Sequence, residues 1–324
     1  MEDKNDINQS SENNSYLSQS STNVNDDIKL DRISPHNPQN TMDASCRGVK
    51  EGCSCNSEER NMLPVSYVYA IGKVVHRFPN KSVEMELAQV LGRIPEEKTK
   101  GLTNPEAAHN IFTDPNNRYI ARQICYILTI EGLETYILIP RDPLDFDRFA
   151  QALRAAPDVG DIDVIIGRRG PMALPDMCNG LIVPIVIVDQ IYSFDRDSLM
   201  KAIPKRKEKG TNEDQFRKTA EAVFNHLIQI ADNAGTIDEH RALNYLAVRY
   251  DEIYHRTQLL QDENYSFTGI EVRPSLLSGT QKIVDVIFTY ENRANRALQK
   301  WFCRVDVTGE WPYLVSPMRE YFER

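Results

Sequence analysis

The sequence predicts an α+β protein: two packed subdomains built on mainly antiparallel sheets with flanking helices, behind a disordered N-terminal tail. Three observations predict it. Hairpin-like pairs of apolar runs outnumber the strand–helix–strand crossovers that a doubly wound parallel sheet needs. Segments of helical period and of strand period are partly segregated along the chain. Residues 1–64 are poor in large apolar residues and rich in Asn, Ser and Asp, a composition that cannot bury enough apolar surface to offset chain entropy.

Ordered structure is expected from Val65. Residues 67–78 are aromatic and β-branched and read as a strand, bent at Gly72. Ser82 is a natural N-cap for a helix that puts Val83, Leu87, Val90 and Leu91 on one face and closes at Gly92. A short helix is expected over 105–112 and a turn at Asp114-Pro-Asn-Asn. Apolar runs 120–130 and 134–139 pair across Gly132 as a hairpin. Asp142 caps a helix with Pro143 at its first position, burying Phe146, Phe149, Ala150 and Leu153. Residues 163–166 form a strand ended by Gly-Arg-Arg-Gly-Pro at 167–171. The most apolar run, 181–191, suits a central strand, with Pro184 favouring an edge or a bulge. Residues 198–203 form a short helix.

The charged stretch 204–210 reads as the link between subdomains 65–204 and 211–324. The second subdomain opens with a helix carrying Phe216, Ala220, Val223, Leu227 and Ile230, followed by another from Asp238 through Tyr254. Three strands complete it, over 266–272, 282–290 and 298–307. In the last, Trp301, Cys303, Val305 and Val307 alternate with Phe302, Arg304 and Asp306, the period of a half-buried antiparallel strand.

Composition narrows the function. The net charge of −9 argues against binding a phosphate backbone, so no nucleic-acid partner is expected. The longest apolar run is far shorter than the roughly 20 residues a membrane helix needs, and the N-terminus has no apolar signal region. A cytoplasmic protein with no membrane partner is expected. The six cysteines lie at 46, 53, 55, 125, 178 and 303. A disulfide framework does not suit a cytosolic chain with a large core, so Cys125 and Cys303 read as small buried hydrophobes.

The motifs of familiar chemistries are missing. There is no phosphate-binding Gly-rich loop of either common type, and Gly167-Arg-Arg-Gly170 lacks the spacing. Cys53-Ser-Cys55 has no second pair of ligands near it, and no histidine pair takes the spacing of a zinc helix. No cofactor is expected; zinc is the one metal that distant ligands, such as Cys125, Cys178 and His240, could assemble. No subtilisin-type serine segment and no Gly-x-Ser-x-Gly elbow occurs.

Two polar constellations remain. His240, Arg241 and Asn244 follow Asp238-Glu239 at a helix start, with His240 and Asn244 on one face. They read either as a general base or capture site for a polar ligand, or as a capped helix end whose acids complement the dipole. Arg141, Arg168 and Arg169 fall at expected strand ends, with Asp176 and Asn179 nearby. They read as a carboxylate or peptide site, or as solvated loop charges.

A set of segments in order, among them Tyr67-Val-Tyr-Ala-Ile-Gly72, Pro140-Arg-Asp-Pro143, Met177-Cys-Asn-Gly180, Asp189-Gln-Ile-Tyr-Ser-Phe-Asp195, Ala231-Asp-Asn-Ala-Gly235 and the run 238–250, resembles the C-terminal domain of the PatG-type cyanobactin maturation proteases. A weaker relative ends the PatA type. The resemblance covers roughly 65–324, and Gly52-Cys-Ser-Cys55 is similar to the linkers that precede this domain. It implies a place in making azoline-containing cyclic peptides from ribosomal precursors, with the precursor peptide or the subtilisin-like maturation protease as partner. It implies no protease activity, since none of the protease's residues are here, and it brings no accepted catalytic residues. Standing alone, the chain is expected to act in trans, or to be a split gene. The expected function is a non-catalytic accessory or recognition domain. The alternatives are an enzyme with an unrecognised, metal-dependent site acting on the precursor peptide, or an oligomerisation element forming a homodimer.

Overall fold

The computed structural model describes residues 65–93, 104–203, 213–230 and 232–322. The expected tail over 1–64 and the expected link over 204–210 lie outside them. Among the described residues there are eight α-helices and nine strands, the strands forming a closed barrel and a four-stranded sheet, mostly antiparallel. The α+β class expected from the sequence is what the structure shows.

The barrel takes the order β1-β2-β3-β5-β4, closing back on β1. Its strands are β1 (Tyr67–Arg77), β2 (Cys125–Ile130), β3 (Leu133–Pro140), β4 (Asp161–Met172) and β5 (Pro184–Asp195). All neighbours pair antiparallel except β3 and β5, which run parallel. This is the five-stranded Greek-key arrangement of an OB-type barrel. Closure depends on β1 serving two partners. Its first half, Tyr67 to Gly72, pairs with β4, and its second half, Lys73 to Arg77, pairs with β2. Gly72 stands at the changeover, where a Cβ would lie 2.3 Å from the Thr129 carbonyl oxygen. Only glycine permits that approach.

Helices α1 (Lys81–Arg93), α2 (Asn104–Thr113) and α3 (Arg118–Ala121) fill the connection from β1 to β2. Val83, Leu87, Val90, Ile111, Phe112 and Ile120 carry the barrel core outward onto them. The cap of α1 is Asn80, whose Oδ1 accepts from the Val83 amide at 3.1 Å, in place of the expected Ser82. The run expected as strand from residue 120 begins as α3, and β2 starts at Cys125. Asp142 accepts from the Leu144 amide at 2.8 Å and opens a 3-10 turn that leads into α4 (Phe146–Ala152). After β5 comes α5 (Arg196–Ala202), with Asp195 as its cap.

Pro184 is the first residue of β5, where no ladder amide is needed. The strand is flanked on both sides, by β3 and by β4, so the edge alternative is corrected, while the register shift between Arg169 and Met172, the partner of Pro184, is the irregularity that the bulge alternative expected. β4 runs on through Arg168 and Arg169, which the sequence placed after its end; a register shift between Ile166 and Gly167 absorbs the glycine.

The second half contains α6 (Glu213–Ile228), α7 (Asp238–Arg249) and α8 (Glu252–Asp262). The single helix expected from Asp238 through Tyr254 is broken at Tyr250, which is extended and whose hydroxyl accepts from the Met318 amide at 2.8 Å. The sheet has the order β6-β7-β8-β9: β6 (Tyr265–Pro274), β7 (Ile283–Asn292), β8 (Leu298–Asp306) and β9 (Tyr313–Glu320). β9 was not expected. Pro317 suppresses its signal, and an irregular register opposite Arg304 accommodates the proline at the sheet edge.

The core explains why the barrel strands read as nearly continuous apolar runs. Val68 and Ala70 of β1 point into the barrel, while Tyr69 and Ile71 point out. With Ile162, Val164 and Ile166 they pack against Leu227, Leu243, Leu246, Val286 and Phe288 of the second half. Both faces of β1 and β4 are therefore covered, and the period-two alternation of a half-solvated strand is lost. No helix among the described residues is long and apolar enough to cross a membrane.

Candidate functional site

The two expected constellations behave differently. Arg241 and Asn244 are structural ties. Arg241 is 2% exposed. Its guanidinium donates to the carbonyls of Val307, at 2.6 Å, and of Gly309 on the β8–β9 loop, and lies over the Tyr67 ring. Asn244 donates to the Tyr69 carbonyl and exchanges hydrogen bonds with Asn233. The turn over 232–235 thereby lies on β1, where the Tyr69 amide donates to Gly235 at 2.8 Å. His240 is buried with Nδ1 unpartnered. Burial holds its imidazole below the usual histidine range, against the pull of Glu239 and Asp232. Asp238 does not cap α7; the cap position is Ile237, and Asp238 pairs with Lys282 at 3.2 Å and Arg241 at 3.7 Å.

Among the arginines, two converge and one does not. Arg141, just past β3, pairs with Asp189 of β5 and lies 3.8 Å from Glu310 of the β8–β9 loop. Arg168 of β4 approaches the other Glu310 oxygen at 3.5 Å. Both guanidiniums are nearly half exposed, whereas the two carboxyl groups are about nine-tenths buried. Arg169 reaches instead toward the buried Tyr136, whose phenol is pushed up by burial and eased by Thr236 and Arg169. Asn179 and Asp176 sit apart on the β4–β5 loop, Asn179 with φ +51° and its carbonyl accepting from Arg77. Asp189 and Glu310 were missed because no local pattern links residues 121 apart.

Sequence reading also missed a buried ionic knot. Asp163 is fully buried. It accepts from Arg154 at 3.0 and 3.1 Å, from Ser193 at 2.6 Å and from the Val74 amide at 2.7 Å. Burial raises its carboxyl pKa against those partners. Every Asp163 oxygen is engaged and no histidine joins Ser193, so the group ties β1, β4 and β5 together and activates no nucleophile.

The cysteine expectation is corrected. Cys125 and Cys178 form a disulfide across 53 residues, pinning the β4–β5 loop to β2. A bonded pair offers no thiolates, which takes two members from the zinc set suggested by the sequence. Among the described residues no group of three or more His, Cys, Asp and Glu could hold a metal ion. Cys303 is the one free cysteine among them, buried, with its thiol pushed far up by burial.

Residues 210–321 match the family described as PatG C-terminal. Among solved structures, the PatG domain of unknown function is similar at 18% identity and a TM-score of 0.63, over 79% of this chain and 98% of that one. A comparison with curated proteins found no match. The chain therefore carries a PatG C-terminal domain over 210–321, within a fold shared with the PatG domain of unknown function.

Proposed function

We propose that the chain is a non-catalytic accessory domain of cyanobactin-type peptide maturation, recognising the precursor peptide or the subtilisin-like protease that processes it. The support is the condition of its reactive groups. Among the described residues the one free thiol, Cys303, is buried with its pKa pushed up, the serine beside Asp163 lacks a base, and His240 is desolvated without a hydroxyl partner. What reaches solvent at the seam between barrel and sheet is the pair Arg141 and Arg168. Guanidiniums held from behind by buried carboxylates suit capture of a peptide carboxylate. No cofactor takes part in this reading.

Calorimetric titration against the precursor peptide and against the protease tests it. A stoichiometric heat with either, weakened about tenfold in R141A/R168A, supports the reading. No heat with either partner overturns it.

A second reading, oligomerisation, is favoured by β9, an outer strand of the sheet whose Tyr313 and Val315 are exposed. Such an edge can pair with a second copy, and light scattering decides it.

A further inference from the structure

Glu310 stands on the β8–β9 loop and Asp189 in the barrel wall, and Arg141 brings the two carboxyl groups together, pairing with Asp189 through one nitrogen and lying 3.8 Å from Glu310 through the other. Ionised carboxylates only accept, so neither group can satisfy the other unless a proton sits on one of them. Their side chains are 10% and 12% exposed. One oxygen of each, Glu310 Oε1 and Asp189 Oδ2, is buried without any hydrogen-bond donor. Buried polar atoms rarely stay unpaired. A single proton between these groups supplies the donor that both lack.

Other charged groups face the pair from every packed element. Arg141 past β3 and Arg168 of β4 bring two positive charges within 3.8 Å, but from half-exposed positions where water screens them. From α7, Arg241 holds the loop backbone by the carbonyls of Val307, Gly309 and Glu310. Asp238, Asp306 and Tyr67 face Arg241, and Lys282 faces Asp238.

We propose that Asp189 and Glu310 hold one proton between them, and that this proton ties the β8–β9 loop to the barrel, so that the seam loosens when the proton leaves. The inference does not depend on the recognition role. Burial first, then Asp189, pushes Glu310 up to about 7 against Arg141 and Arg168. The folded protein thus binds this proton more tightly than the unfolded chain. The stabilisation is complete below the ordinary glutamate range and is lost as pH rises through about 7. The device operates near neutrality.

The test follows thermal midpoints of the full chain from pH 5.5 to 8.5, wild type beside E310Q. The glutamine amide donates to Asp189 in place of the proton and does not titrate. Relative to E310Q, the wild type is expected to lose a few degrees across a step centred near 7, leaving E310Q the more stable at pH 8.5. Hydrogen exchange of amides 307–311 should show the same step, with wild-type protection falling about fivefold against E310Q between pH 6 and 8. If E310Q does not fold, D189N carries the comparison, its amide donating to Glu310. Parallel profiles in wild type and the folded variant overturn the proposal.

Discussion

Asn244 on α7 donates from Nδ2 to the main-chain carbonyl of Tyr69 in β1 at 2.8 Å, joining residues 175 apart. The same side chain exchanges bonds of 2.8 and 3.1 Å with Asn233. All of this is buried. Asn244→Ala strands the Tyr69 carbonyl and both polar atoms of the Asn233 amide. The expected loss is about 3 kcal/mol, since each buried unsatisfied group costs roughly 1–3 kcal/mol. Urea unfolding should show a lower midpoint at unchanged slope. A neutral result would return Asn244 to the ligand-binding role its helical face suggested.

Gly235 closes the same junction from the other side. Its φ is +69°, and a Cβ there would lie 2.3 Å from the Tyr69 carbonyl oxygen and 2.7 Å from Ala70 Cα. These are backbone atoms of a barrel strand and cannot swing aside. Gly235→Ala is expected to cost more than about 3 kcal/mol, combining strain and overpacking. Gly269→Ala, where the added carbon meets nothing within 4 Å, is the control and should stay within about 1 kcal/mol. Melting midpoints of the two variants compare them directly.

These junctions also mark where sequence reading ends. Apolar period and turn chemistry are local, and they located β1, the helix after Asp142 and the strands β6, β7 and β8 with errors of a few residues, while β9 escaped them. Arg241 and Asn244 could be singled out by helical spacing, but whether they serve a ligand or the fold depends on Tyr69, Val307 and Gly309, which chain distance hides. The Asp189–Glu310 pair is invisible for the same reason. The break at Tyr250 had no local breaker, because the cause is a bond to Met318 on the distant edge strand. Arg168 and Arg169 were misplaced because Gly167 and Gly170 signal a turn, whereas here Gly167 lets β4 pack closely on β5, a Cβ there lying 2.2 Å from the Ile187 carbonyl oxygen.

The Cys125–Cys178 disulfide closes a segment of 53 residues and pins the β4–β5 loop over Ile127, Ile137 and Ile185. Chain entropy alone assigns such a closure about 4 kcal/mol. Dithiothreitol, or the C125A/C178A double variant, should lower the melting midpoint by well over 5 °C. An unchanged midpoint under reduction would show that the apolar cluster beneath the loop holds it without the bond.

His76 sets the acid side of the stability profile. It lies in β1, edge-on to Phe78 and Phe112 with ring centroids 5.3 Å from each. Burial alone holds its imidazole below the ordinary histidine range. A group whose folded value is depressed stabilises the protein above its unfolded value, and that contribution is lost as pH falls. The direction is opposite to that of Glu310, whose contribution is lost as pH rises, and His240 acts in the same sense as His76. His76→Phe keeps an aromatic ring between Phe78 and Phe112 and removes the titration. Its melting midpoint should fall less than the wild type's between pH 7 and pH 5, while the decline on the alkaline side persists. Equal acid sensitivity in the two proteins would transfer that role to His240, which H240N then tests in the same buffers.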